Sequence, residues 1–154
     1  MENINYIKAA FTASFALLSS ILGVLYIPVI LMVVCNVLDY FTGLLASPYR
    51  KEDINSYKSM KGIIKKVMMW ILVIVGALVD QLLIYTSDMF GITLPFTFMV
   101  ACIVALWIIC NELISILENI TDMGVSTPKF LKPIVEHIRS QVEEKIEDIE
   151  SEEN

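Results

Sequence analysis

"IICNELISILENITDMG" (residues 108–124) closes the last long apolar run of the chain and loads it with Asn111, Glu112, Ser115, Glu118, Asn119 and Asp122. Projected at about 100° per residue, these six side chains fall in an arc of about 120°. Leu113, Ile114, Ile116, Leu117 and Ile120 cover the rest of the circumference. Such a helix has one wet or self-associating seam and an otherwise lipid-compatible surface. Whether it lies in a membrane, with the seam turned away from lipid, decides the fold.

The surrounding composition favours the membrane. Of 154 residues, 56% are hydrophobic and 18% charged, and the mean hydropathy is +0.70; soluble domains are less apolar and more charged. From Ala9 to Tyr49 the only charged side chain is Asp39, and from Val67 to Asn111 only Asp80 and Asp88 are charged. Uncharged runs of that length read as transmembrane helices, which need roughly 20 apolar residues each. The net charge of −6 comes mostly from the tail, Glu143 to Glu153, and gives no basic footprint for nucleic acid. Cys35, Cys102 and Cys110 lie inside apolar runs, fit no metal or disulfide spacing, and read as small buried hydrophobes.

Lys8 and the run after it resemble a signal peptide, but the run outlasts an h-region and no small-residue cleavage site closes it, so a retained membrane helix is expected. Residues 9–47 are long enough for two spans, with Gly23 and Pro28 at the break; the alternative is one bent helix, partly re-entrant. The expected fold is all-α, with three to four membrane helices, four being preferred: about 9–26, 28–46, 66–85 and 96–122, the first two as a hairpin. Residues 1–124 form the membrane domain, and Gly124 ends the fourth helix. Residues 125–154 form a cytoplasmic amphipathic helix, with Val135, Ile138, Val142, Ile146 and Ile149 at helical spacing, and an acidic tail. Arg50, Lys51, Lys58, Lys61, Lys65 and Lys66 crowd the 47–66 loop, whereas residues 86–95 carry no Lys or Arg. The positive-inside rule puts the basic loop and the C-terminus in the cytoplasm, and four spans put the N-terminus there too.

Ionisable groups inside membrane helices must be paired, hydrated or protonated, which makes each a candidate functional group. Counted at about 1.5 Å per residue, Asp39 and Glu112 both lie in the inner halves of their helices, so they share a depth. Lys65 and Lys66 start the third helix on that side and can snorkel. Asp80 lies toward the outer face, and its bland role is a contact with Lys, Asn or a hydroxyl. Small residues make two stripes, Ala9–Ala13–Ala16–Ser20–Gly23 and Asn36–Asp39–Gly43–Ala46, which let helices approach closely in lipid. No phosphate loop, metal cluster or nucleophile motif appears, and His137 reads as a surface residue; neither an enzyme nor a cofactor or metal is expected.

Three blocks carry a resemblance. "VLDYFTGLLAS" (37–47) looks like a D-x-x-T-G-x-x-A helix end. "SMKGIIKKVMMWILVIVGALVD" (59–80) is similar to a G-I-x-K-K start with a terminal Asp. "NELISILENITDMGVSTPKFLKP" (111–133) is similar to N-E-x-x-S-I-L-E-N-x-x-x-x-G-x-x-x-P-x-x-L-K. Over roughly residues 36–135 the chain resembles the toxin-secretion/phage-lysis holin family, small membrane proteins of phages and prophage-like elements in Gram-positive bacteria. The resemblance implies a homo-oligomer in the bacterial cytoplasmic membrane that opens lesions and releases a muralytic enzyme (endolysin) or a toxin. Matching positions include Asp39, Thr42, Gly43, Gly62, Lys65, Lys66, Asp80, Asn111, Glu112, Ser115, Glu118, Asn119, Gly124 and Pro128, as assembly or pore-facing candidates with no catalytic role. The alternative is a non-lytic small channel or transporter subunit using the intramembrane carboxylates.

Overall fold

A computed structural model describes residues 2–51, 56–91 and 99–152. Its elements are helical: α1 Glu2–Leu22, a 3-10 turn Gly23–Leu25, α2 Tyr26–Ala46, α3 Ser56–Phe90, α4 Met99–Asp122 and α5 Leu131–Glu152. α4 is the hub, with α2, α3 and α5 packed around it. Its buried positions Ala101, Ala105, Ile108, Glu112, Ile116 and Asn119 follow one another by three or four residues, the spacing of a single helix face. Ala101, Ala105 and Ile108 are fully buried, and with Met32, Cys35, Val73, Ile109 and Ile116 they make the centre of the bundle.

Among the described residues, three helical segments are long and apolar enough to cross a membrane: Gly23–Ala46, Ser59–Phe90 and Met99–Asp122. Their outward residues are large and apolar, as Phe41, Leu45, Leu78 and Leu82 illustrate at 59–63% exposure. A surface of that kind suits hydrocarbon, which solvates apolar side chains at no cost. α2 and α3 splay apart on α4 and leave an apolar groove of about 430 Å³ lined by Val33, Val37, Phe41, Ile63, Val67 and Trp70, among others.

Three membrane-capable segments lie within the expected three to four. α1 is a helix, but it is not among the three segments fit to cross, because Asn5, Lys8, Thr12, Ser14, Ser19 and Ser20 dilute its apolar content. It makes little contact with α2 beyond the turn that joins them, and Ile4, Tyr6, Ile7, Phe11, Phe15 and Leu17 are exposed. Among the described residues its small-residue stripe is left largely uncovered. The expected break at Gly23 and Pro28 falls at the 3-10 turn Gly23–Leu25, where Gly23 has φ +52°, and Pro28 lies just past it. It sits in the first turn of α2, where backbone N–H groups lack intrahelical acceptors, so its missing N–H costs nothing there.

α3 is longer at both ends than the expected 66–85. At its far end Thr86 Oγ1 donates to the carbonyls of Leu82 and Leu83, both at 3.0 Å, and Ser87 Oγ to that of Ile84 at 2.8 Å. These hydroxyls bond back within their own helix, so polar residues that look like a loop continue it to Phe90. The expected start of the fourth helix near Phe96 lies outside the described residues. Its end is as read. Gly124 has φ +82°, its N–H bonds Thr121 O at 2.9 Å, and the Val125 N–H bonds Ile120 O at 3.3 Å, a left-handed glycine stop.

Candidate functional site

α2 and α4 run parallel and α3 runs antiparallel to both, which brings three charged side chains to one depth. Lys66 Nζ on α3 donates to Asp39 Oδ2 on α2 at 2.8 Å and also to Glu112 Oε2 on α4. Glu112 is 4% exposed, and the Lys66 side chain is 16% exposed. Lys66 thus points inward between the helices, while Lys65 beside it is exposed. Two carboxylates share one ammonium, and neutral donors supply the rest. Asn119 Nδ2 donates to Asp39 Oδ1 and to Thr42 Oγ1, both at 3.0 Å. In a medium of low dielectric each such bond is stronger than in water, and each unmet group is correspondingly expensive.

The network continues to the basic connection after α2. Arg50 donates through Nε to Asp122 Oδ2 at 2.6 Å and through Nη2 to Asn119 Oδ1 at 2.5 Å. The Asn36–Asp39–Gly43–Ala46 stripe faces α4 of the same chain: Ala46 is fully buried, and a Cβ at Gly43 would lie 3.7 Å from Asn119 Nδ2. Because Arg50 and Asp122 are 33% and 43% exposed, Arg50→Ala is expected to cost no more than about 1 kcal/mol. Thermal unfolding in detergent checks this, and a loss well above that would show that the Arg50–Asn119 bond dominates.

Asp80 has a partner of another kind. The expectation of a Lys, Asn or hydroxyl contact is corrected: its Oδ1 accepts from the backbone N–H of Val100 at 2.9 Å and its Oδ2 from that of Ala101 at 2.8 Å. These N–H groups belong to the first described turn of α4, toward the positive end of the helix dipole. A carboxylate from α3 thus caps α4 inside the apolar slab. Gly76, one turn before Asp80, makes the approach possible, since a Cβ there would lie 2.9 Å from Ala101 Cα. Sequence reading missed Gly76, although Lys66, Met69, Val73, Gly76 and Asp80 follow one another at helical steps of three and four.

The polar arc of residues 111–122 serves neighbours on two sides. Glu112 and Asn119 turn inward to α3 and α2. Asn111 and Glu118 turn to α5: Arg139 Nη1 donates to Asn111 Oδ1 at 3.3 Å, and Lys132 Nζ donates to Glu118 Oε1 at 2.8 Å. Glu118 holds the exposed Lys132 ammonium above the usual lysine range, through the hydrogen bond first and its charge second. Ser115 is half-buried between the two halves. Arg50, Trp107, Arg139 and Glu143 were not candidates from the sequence; only their tertiary placement reveals them. On α5 the side toward α4 includes Val135, Arg139 and Val142, all half-buried, while Ile138 is 44% exposed.

Fold and site together define a small multi-pass helical membrane protein whose intramembrane charges are engaged between its own helices. The chain belongs to the bacteriophage holin family, whose model matches residues 16–140. Among its relatives, an uncharacterised 14.9 kDa protein of Clostridium perfringens is 34% identical over 92% of this chain and 99% of its own length. An uncharacterised Listeria monocytogenes protein is 37% identical over 75% of this chain and 77% of its own. A probable holin of Bacillus phage phi105 is 28% identical over 76% of this chain and 78% of its own. No solved structure matches the chain.

Proposed function

We propose that copies of this chain collect in the bacterial cytoplasmic membrane, associate, and open lesions through which a cell-wall hydrolase or a toxin leaves the cell. The protein performs no chemical step. Membership of the bacteriophage holin family supports this reading, as does the likeness to a probable phage holin. The structural observation that carries it is the state of the intramembrane charges. Asp39, Lys66, Glu112 and Asp80 each engage another helix of the same chain. Groups so engaged hold a unit together and line no solute path within it. That disfavours a channel contained in a single chain and leaves passage to an assembly of units.

Loop charge supports a cytoplasmic location for the connection after α2 and for residues 125–154. The test is co-expression with a soluble muralytic enzyme that has no export signal. The enzyme is expected to reach the cell wall and lyse the culture only when this chain is present. Retention of the enzyme at high levels of the membrane-inserted chain would overturn the reading.

A further inference from the structure

α5 lies along α4 in antiparallel register. Lys132 meets Glu118, Arg139 meets Asn111, and Glu143 Oε1 accepts from Trp107 Nε1 at 3.0 Å. The steps between these contacts are matched, seven residues and then four, up one helix and down the other. At 1.5 Å per residue, Asn111 and Trp107 lie about 16 and 22 Å from the Asp122 end of α4. The docked Arg139 and Glu143 therefore sit well inside a hydrocarbon layer about 30 Å thick whenever α4 spans it. Charged side chains at that depth cost several kcal/mol each unless water reaches them. Docking is also imperfectly satisfied: Arg139 Nε is buried with no hydrogen-bond partner and lies 3.6 Å from Glu143 Oε1. A docked α5 and surrounding lipid are thus incompatible along this face.

Asn111 Nδ2 donates to the Trp107 carbonyl of its own helix at 3.0 Å, but if α5 leaves, its Oδ1 and second N–H face hydrocarbon, which offers neither donor nor acceptor. An amide carries both, so an Asn111 from a second copy satisfies it reciprocally across a two-fold axis along the membrane normal. Interhelical bonds of this kind drive helix association in lipid. We propose that the Trp107–Asn111–Glu118 face of α4 has two mutually exclusive partners, α5 of its own chain when the face is in water and the same face of a second copy when it is in lipid. This rests on the reading that copies associate in the membrane, and it makes α5 an internal competitor of that association.

The test is disulfide cross-linking in membranes of the full-length chain with Cys35, Cys102 and Cys110 changed to Ala and Ser115→Cys as the reporter, one turn from Asn111. Cross-linked dimer is expected in this background. It is expected to rise severalfold with Arg139→Ala plus Glu143→Ala, to stay near the starting level with Arg139→Lys, and to be lost with Asn111→Leu. Dimer that is absent, or indifferent to both the α5 changes and Asn111→Leu, overturns the proposal. Membrane potential recorded in the same cells separates the two readings. Dimer that obeys this pattern while the potential holds leaves the competition standing and counts against lesion formation.

Discussion

Lys66→Met is expected to destabilise the bundle by about 3–5 kcal/mol, the cost of removing one partner from a buried ion pair. Lys66 is the cation that joins α2, α3 and α4 at one depth, and its loss leaves Asp39 and Glu112 facing each other without it. Asn119 still serves Asp39, whereas Glu112 loses the ammonium that holds it. Lys65→Met, one residue earlier on an exposed face, is expected to change stability by less than about 0.5 kcal/mol. Thermal unfolding of the detergent-solubilised proteins, with membrane accumulation as a second readout, compares the two. Equal effects would show that Lys66 acts only as a positive charge at the membrane surface. The double change Lys66→Met with Glu112→Gln is expected to recover part of the loss, because it also removes one of the stranded charges.

Asp80→Leu is the second large effect, expected at about 2–5 kcal/mol. It strands the N–H groups of Val100 and Ala101, each worth about 1–3 kcal/mol when buried and unmet, in a layer with no water to replace the carboxylate. Asp80→Asn keeps one acceptor oxygen and is expected to cost about half as much. Gly76→Leu attacks the same junction by another route, pushing α4 off α3 at Ala101. By contrast Gly62→Ala, where an added Cβ meets nothing, is expected to be tolerated. Helix content and unfolding temperature in detergent read all four. If Asp80→Leu were neutral while Gly76→Leu was harmful, close packing rather than capping would hold the start of α4.

Much of this was legible in the sequence because lipid leaves strong marks. Uncharged runs of the length needed to span a bilayer located α2, α3 and α4, and a shared depth for Asp39 and Glu112 followed from counting residues. Gly124 announced the end of α4. Where the reading failed, local chemistry had two outcomes. Thr86 and Ser87 look like a loop until their hydroxyls bond back into α3. The polar arc of residues 111–122 was correctly periodic, but periodicity does not say how many neighbours an arc serves. Asp80 stood out as a charge in an apolar run, yet its partners are backbone groups of α4 and have no signature in side-chain types. Arg50 and Arg139 owe their roles to distant residues that only the fold brings near.

The most direct measurement of the central claim is the time course of membrane potential, followed with a voltage-sensitive dye, in cells induced to express the chain. An assembly of closed units predicts a lag during which protein accumulates while the potential holds, and then an abrupt collapse, with lysis in the presence of a muralytic enzyme at the same moment. A potential that declines from the outset in proportion to the amount of protein would contradict it, since that is the behaviour of a channel open in every copy.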